Sequence, residues 1–239
     1  MLSIIRAISK SQKTKEQILL NFNNIKSMRK NDKDITLYYI TYRNYFKEFV
    51  EYLSDIDNLK DTHIISELTL IVAYTGNTQI LNYLIKHNLL DVKITTENDE
   101  NCFFLATRKG HIKVLKILVN YANTIKDYSF IFKNNEYNRF NAFHNALYNK
   151  HIKILDYLIK IGFNIYYIDK LNKWSYFEYC IQWKKFKSLD FLSKKANMIS
   201  YKKTNMISYK KKFEQFEYCL TNKEKFFINH IYCNQLLFI

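Results

Sequence analysis

An all-α chain of stacked helix-turn-helix units is the fold this sequence predicts, and three observations carry the prediction. Gly76 and Gly110 lie 34 residues apart in a chain of 239 residues that has three glycines and no proline, and each precedes a helix-like apolar run. Gly162, the third glycine, closes the next such run. The apolar spacing itself repeats: Ile80, Leu81, Leu84 and Ile85 after Gly76, then Ile112, Val114, Leu115, Leu118 and Val119, then Ile152, Ile154, Leu155, Leu158 and Ile159, then Phe186, Leu189, Phe191 and Leu192. A period near 33 residues signals a solenoid whose units are single helix pairs. One such pair cannot bury its apolar face alone, so neighbours must stack.

Taken in order, residues 1–30 read as a helical and flexible lead-in in which Ile18, Leu19, Leu20 and Phe22 could cover the first repeat. Residues 31–66 form a degenerate first unit whose second helix carries Phe46, Phe49, Tyr52 and Leu53. Residues 67–196 hold the core repeats. Within them Asn101, Asn141 and Ser175 are each placed to accept a backbone N–H at a helix start. Ala106 and Ala146 are small enough for two helices to approach closely. Gly162 and Asn88 occupy equivalent positions suited to a left-handed helix C-cap, where Asn is the usual substitute for Gly.

These segments resemble the ankyrin-repeat family. Asn101 to Ala106 and Asn141 to Ala146 are similar to its Thr-Pro-Leu-His-Leu-Ala segment, His111 and His151 match its Gly-His position, and Ile161-Gly162-Phe163-Asn164-Ile165 resembles its repeat ending. No Thr-Pro pair is present, and Lys150 and Lys184 stand where Gly is expected. The resemblance implies an ankyrin-repeat solenoid of about five to six repeats with degenerate ends.

Two insertions interrupt the period. The spacing grows from 34 to 40 between the second and third core repeats, so the segment from Lys126 to Arg139 should bulge as a longer finger or loop. Residues 197–212 contain a tandem eight-residue copy, NMISYKKT followed by NMISYKKK, which forms a basic duplicated insert. Loop length costs closure entropy only logarithmically, so a repeat array tolerates such inserts. Residues 213–239 read as a degenerate C-terminal unit, because Phe216-Glu217-Tyr218-Cys219 repeats Phe177-Glu178-Tyr179-Cys180 at an offset of 39.

A net charge of +15 admits nucleic acid, an anionic surface or acidic proteins as partners. Only Arg6, Arg29, Arg43, Arg108 and Arg139 are arginines, whereas surfaces that grip phosphate favour the guanidinium fork. Abundant Lys, Asn, Ile, Tyr and Phe with scarce Gly, Pro, Ala and Arg instead fits an AT-rich genome, and the chain resembles ankyrin-repeat proteins of giant DNA viruses.

Catalytic motifs are missing: there is no Gly-rich phosphate loop, nucleophile elbow or His-Glu-x-x-His helix. Cys102, Cys180, Cys219 and Cys233 form no C-x-x-C pair, and Cys219, His230 and Cys233 are the best remaining metal candidates. His144, at the resemblance's first-helix histidine, should orient a turn. The sequence therefore predicts no enzyme, no cofactor and no metal. Neither a signal peptide nor a span of 18 apolar residues is present, and unpatterned cysteines fit a reducing, intracellular compartment. That compartment is expected to be host cytoplasm. The Lys210–Lys212 run is too short to assign the nucleus.

The resemblance implies a monomeric module that binds a partner protein through a concave face and fingers. The candidate contacts are Glu97, Asp99 and Glu100, then Asn138 and Arg139, then Lys173 and Trp174, each group just before a repeat. Two alternatives remain: polyanion or nucleic-acid binding through Lys184, Lys185, Lys187, Lys202, Lys203 and Lys210 to Lys212, and a ubiquitin-ligase adaptor with an F-box-like segment within 213–239.

Overall fold

The computed structural model describes residues 30–54, 62–169 and 172–198. The lead-in apolar residues Ile18 to Phe22, the duplicated lysines, the C-terminal unit and the Cys219, His230 and Cys233 group lie outside the described residues. Among those described, eleven helices occur and no strand, only an isolated bridge between Ile168 and Ser175.

The helices come in pairs. They are α1 (Lys30–Arg43) with α2 (Phe46–Ser54), α3 (Thr62–Thr75) with α4 (Thr78–Lys86), and α5 (Cys102–Lys109) with α6 (Ile112–Ile125). A short α7 (Ser129–Phe132) precedes α8 (Ala142–Tyr148) with α9 (Ile152–Lys160), and α10 (Tyr176–Gln182) with α11 (Phe186–Met198). The chain divides into two compact units, the first ending at Asn138 and the second beginning at Arg139. In the first, α1, α3 and α5 pack in succession as one layer and α2, α4 and α6 as another. In the second, α8 packs on α10 and α9 on α11.

The outer helices obey one register. Counted from the turn residues Gly76, Gly110 and Lys150, the fourth, fifth and eighth positions are Ile80, Leu81 and Leu84, then Val114, Leu115 and Leu118, then Ile154, Leu155 and Leu158, all buried. Burying each such side chain contributes about 1.5–3 kcal/mol. From Lys184 the same positions are Ser188, Leu189 and Leu192, also buried, and Ser188 is satisfied there because its Oγ donates to Leu147 O at 2.9 Å. The inner helices answer with small or slender residues: Ala106, Ala146 and Cys180 stand four before their turns and are fully buried.

Every positive-φ residue among the described ones falls at one of three places in this register. Asn44, Gly76, Gly110, Lys150 and Lys184 turn the chain between inner and outer helix; Asn88, Lys126 and Gly162 end outer helices; Asp99, Arg139 and Lys173 lie two before the positions taken by Asn101, Asn141 and Ser175. The turns are Schellman-type, which satisfies the last helical carbonyls. His111 N donates to Ala106 O at 2.9 Å, His151 N to Ala146 O at 2.9 Å and Lys185 N to Cys180 O at 2.8 Å. Lys150 at φ 59° and Lys184 at φ 54° keep this geometry without glycine, which costs about 1 kcal/mol each.

Gly76 differs because its site is also crowded. A Cβ there would lie 2.7 Å from Nδ1 of His111, whose Nε2 contacts Tyr74 O at 3.0 Å. One repeat earlier, Asn77 Nδ2 donates to Thr41 O at 2.5 Å. The residue after each of these turns thus bonds a carbonyl of the preceding turn, which ties neighbouring repeats together.

The extra residues between Lys126 and Arg139 are absorbed differently from a simple bulge. α6 runs to Ile125, with Ala122 fully buried, because the apolar period continues past Leu118; α7 then adds a turn that buries Phe130 and Ile131.

Candidate functional site

The helix starts position the fingers. Asn101 Oδ1 accepts from Phe104 N at 2.9 Å and its Nδ2 donates to Phe130 O at 2.6 Å, so one side chain caps α5 and anchors α7. Asn141 caps α8 by accepting from Phe143 N and His144 N, while His144 Nδ1 accepts from Asn141 N at 3.1 Å. Ser175 and Glu178 form the equivalent box on α10, with Ser175 N donating to Glu178 Oε2 at 2.6 Å.

In the first unit the finger turns on Thr96. Its carbonyl accepts from Asp99 N at 2.8 Å, and its Oγ1 accepts from Asn98 N at 3.3 Å and Glu100 N at 3.2 Å. Asp99, at φ 56°, pairs with Lys133 Nζ and accepts from Glu136 N at 2.8 Å. Asn135 is 2 % exposed; its Nδ2 donates to Asn98 O at 2.5 Å while its Oδ1 accepts from Tyr137 N and Asn138 N. Glu100 is buried against Arg108 Nη1 at 2.5 Å. Burial raises its carboxyl above the ordinary range, and the Arg108 charge opposes that shift. The Thr96 turn and the following turn at Asn135 thereby brace each other, and Tyr137, 75 % exposed, projects from the second.

In the second unit the brace is Asp169, which is 1 % exposed. Its Oδ2 accepts from Asn172 Nδ2 at 2.8 Å, Asn172 N at 3.1 Å and Tyr179 Oη at 2.8 Å, and its carbonyl accepts from Lys173 N at 2.8 Å. Burial, foremost among its causes, pushes the Tyr179 phenol up to about 12, which keeps it a donor to that carboxylate. Trp174 O accepts from Asp169 N at 2.8 Å, and the half-buried Trp174 ring stands edge-on to Tyr179 at 5.2 Å.

His144 is enclosed by rings: Phe140 stacks on it at 4.8 Å, and Tyr176 and Tyr179 meet it edge-on at 4.8 and 4.9 Å. Burial pulls its pKa down to about 3, against a weaker opposing effect of Asp169, so the imidazole is neutral at pH 7. Cys102 and Cys180 are fully buried. Burial pushes the Cys102 thiol up to about 12 and the Cys180 thiol higher still, which leaves neither as a thiolate at neutral pH. No group of three His, Cys, Asp or Glu among the described residues could hold a metal ion.

Of the seven contacts expected from sequence, Glu97, Asn138, Arg139 and Lys173 are exposed, Trp174 is half-buried, and Asp99 and Glu100 are engaged inside the first unit's finger. Tyr137 and the braces Asn135 and Asp169 are not among the residues the sequence singles out. Asn135 meets Asn98 O from 37 residues away and Asp169 meets Tyr179 Oη from ten, so no local pattern marks either as a brace.

Residues 68–169 match the family model for ankyrin repeats, in 3 copies. Among curated proteins none matches the chain. No helix among the described residues is long and apolar enough to cross a membrane.

Proposed function

We propose that the protein is a non-enzymatic interaction module that binds another protein through its finger turns. Ankyrin repeats are in general protein–protein interaction modules. The observation that carries the reading here is the bracing of the fingers by buried polar side chains, Asn135 in one unit and Asp169 in the other. A braced turn loses little conformational freedom on binding, so more of its contact energy appears as affinity. In the first unit the contact residues are Glu97, Tyr137 and Asn138; in the second they are Arg139, Lys173 and Trp174. Tyr137 and Trp174 are the anchors, since aromatic side chains dominate interface hot spots. Asp99 and Glu100 act by holding the finger's shape. The helix pairs outside 68–169 extend the array as degenerate repeats, giving five to six in all, on a monomer that works in host cytoplasm. Its likeness to giant-virus proteins rests on composition alone.

The test is affinity capture with the tagged chain from cell lysate, with and without nuclease and at low and high salt. A discrete protein that survives both treatments supports the reading; recovery that collapses on either overturns it.

A further inference from the structure

The turns at the opposite ends of the helices from the fingers carry an uneven charge. Three residues on either side of the five positive-φ residues define the segments 41–47, 73–79, 107–113, 147–153 and 181–187. Ten of the chain's 37 basic residues and none of its 22 acidic ones lie in them. An AT-rich composition raises lysine everywhere and gives no reason for carboxylates to be absent from these turns.

The bias is densest in the second unit, where Lys150, Lys153, Lys184, Lys185 and Lys187 come from two adjacent turns. Their adjacency is shown by Ser188 Oγ, which donates to Leu147 O at 2.9 Å, and by Lys185 Nζ, which sits 4.0 Å over the Tyr148 ring. No carboxylate among the described residues pairs with Lys150, Lys153 or Lys187, and all three are exposed. Tyr148 is 50 % exposed among them, and its ring is held edge-on by Trp183 at 5.3 Å.

We propose that this edge of the second unit binds single-stranded nucleic acid, with the lysines on the phosphodiester backbone and Tyr148 as a stacking platform for a base. Point-charge lysines around a half-exposed ring suit a flexible strand whose bases are free to stack. An acidic protein would use the lysines without the ring, and a duplex keeps its bases stacked on one another.

The test is fluorescence anisotropy of a labelled 20-nucleotide oligothymidylate titrated with the full chain at several salt concentrations. Five lysine contacts give a slope of log affinity against log salt of about −3.5. The K150E/K153E/K187E variant should weaken binding at least tenfold and flatten the slope. A charge-matched K86E/K93E/K116E variant, altered at exposed lysines of the first unit, should change it less than threefold. Tyr148→Ala should weaken it about fivefold with unchanged helical circular dichroism. The proposal is overturned if the two triple variants weaken binding equally or if Tyr148→Ala has no effect. It is also overturned if a duplex of matched length binds as tightly, or if polyglutamate of equal charge displaces the oligonucleotide as well as unlabelled oligothymidylate does.

Discussion

Lowering the pH from 7 to 5 should destabilise the second unit through His144 by an amount the structure sets. Its folded pKa of about 3 lies below the ordinary value of 6.5 because the ring is buried among Phe140, Tyr176 and Tyr179. The unfolded chain therefore binds the proton first. The stability contributed by the neutral ring is complete above pH 6.5 and is lost as pH falls from there towards 3. By linkage the loss is about 0.8 kcal/mol at pH 6 and about 2 kcal/mol at pH 5. Urea unfolding followed by tryptophan emission reads this unit directly, since Trp174 and Trp183 both lie in it. His144→Gln is the comparison, because glutamine at the third helical position can still complete the capping box with Asn141. Between pH 7 and 5 the parent should lose about 2 kcal/mol more than the variant. Equal losses in the two proteins, or a His144 ring titrating near pH 6.5 by nuclear magnetic resonance, would refute the burial argument.

Gly76→Ala should cost about 2 kcal/mol or more by urea unfolding, because it adds a Cβ at φ 83° and against the His111 ring. Combining it with His111→Ala should recover the steric part, so strictly additive losses would count against the contact. Lys150→Gly should stabilise by about 0.5–1 kcal/mol, since it relieves a left-handed residue at φ 59°; a loss would show that the lysine holds the turn in another way. Asn101→Ala should cost about 2 kcal/mol, more than an ordinary cap, because Phe130 O loses its partner along with Phe104 N. Hydrogen exchange should then show earlier opening of α5 and α7 than of α4.

The repeat register and the helix caps could be read from sequence because each depends on residues close together in the chain. Asn101, Asn141 and Ser175 bond amides two or three residues ahead, and Leu81, Leu115 and Leu155 are buried by a helical period alone. Even the replacement of Gly by Lys150 and Lys184 left the turn intact, because the backbone bonds on either side over-determine it. The fingers were less legible. Asn135 meets Asn98 O and Lys133 meets Asp99 across 37 and 34 residues, and no local pattern announces such pairs. Glu100 and Glu97 look alike in sequence, yet Arg108 one turn-and-a-half into the following segment draws one of them inward. The length of α6 also escaped the repeat template, because Ala122 prolongs the buried stripe beyond the nine residues of α4 and α9.

That the braced fingers are the recognition surface is tested most directly by a binding titration of the captured protein against three forms of the chain: parent, Y137A/W174A and K150E/K153E/K187E. The finger variant should raise Kd at least tenfold with unchanged far-ultraviolet circular dichroism, and the turn-edge variant should bind as the parent does. Parent-like affinity in the finger variant, or a loss confined to the turn-edge variant, would contradict it.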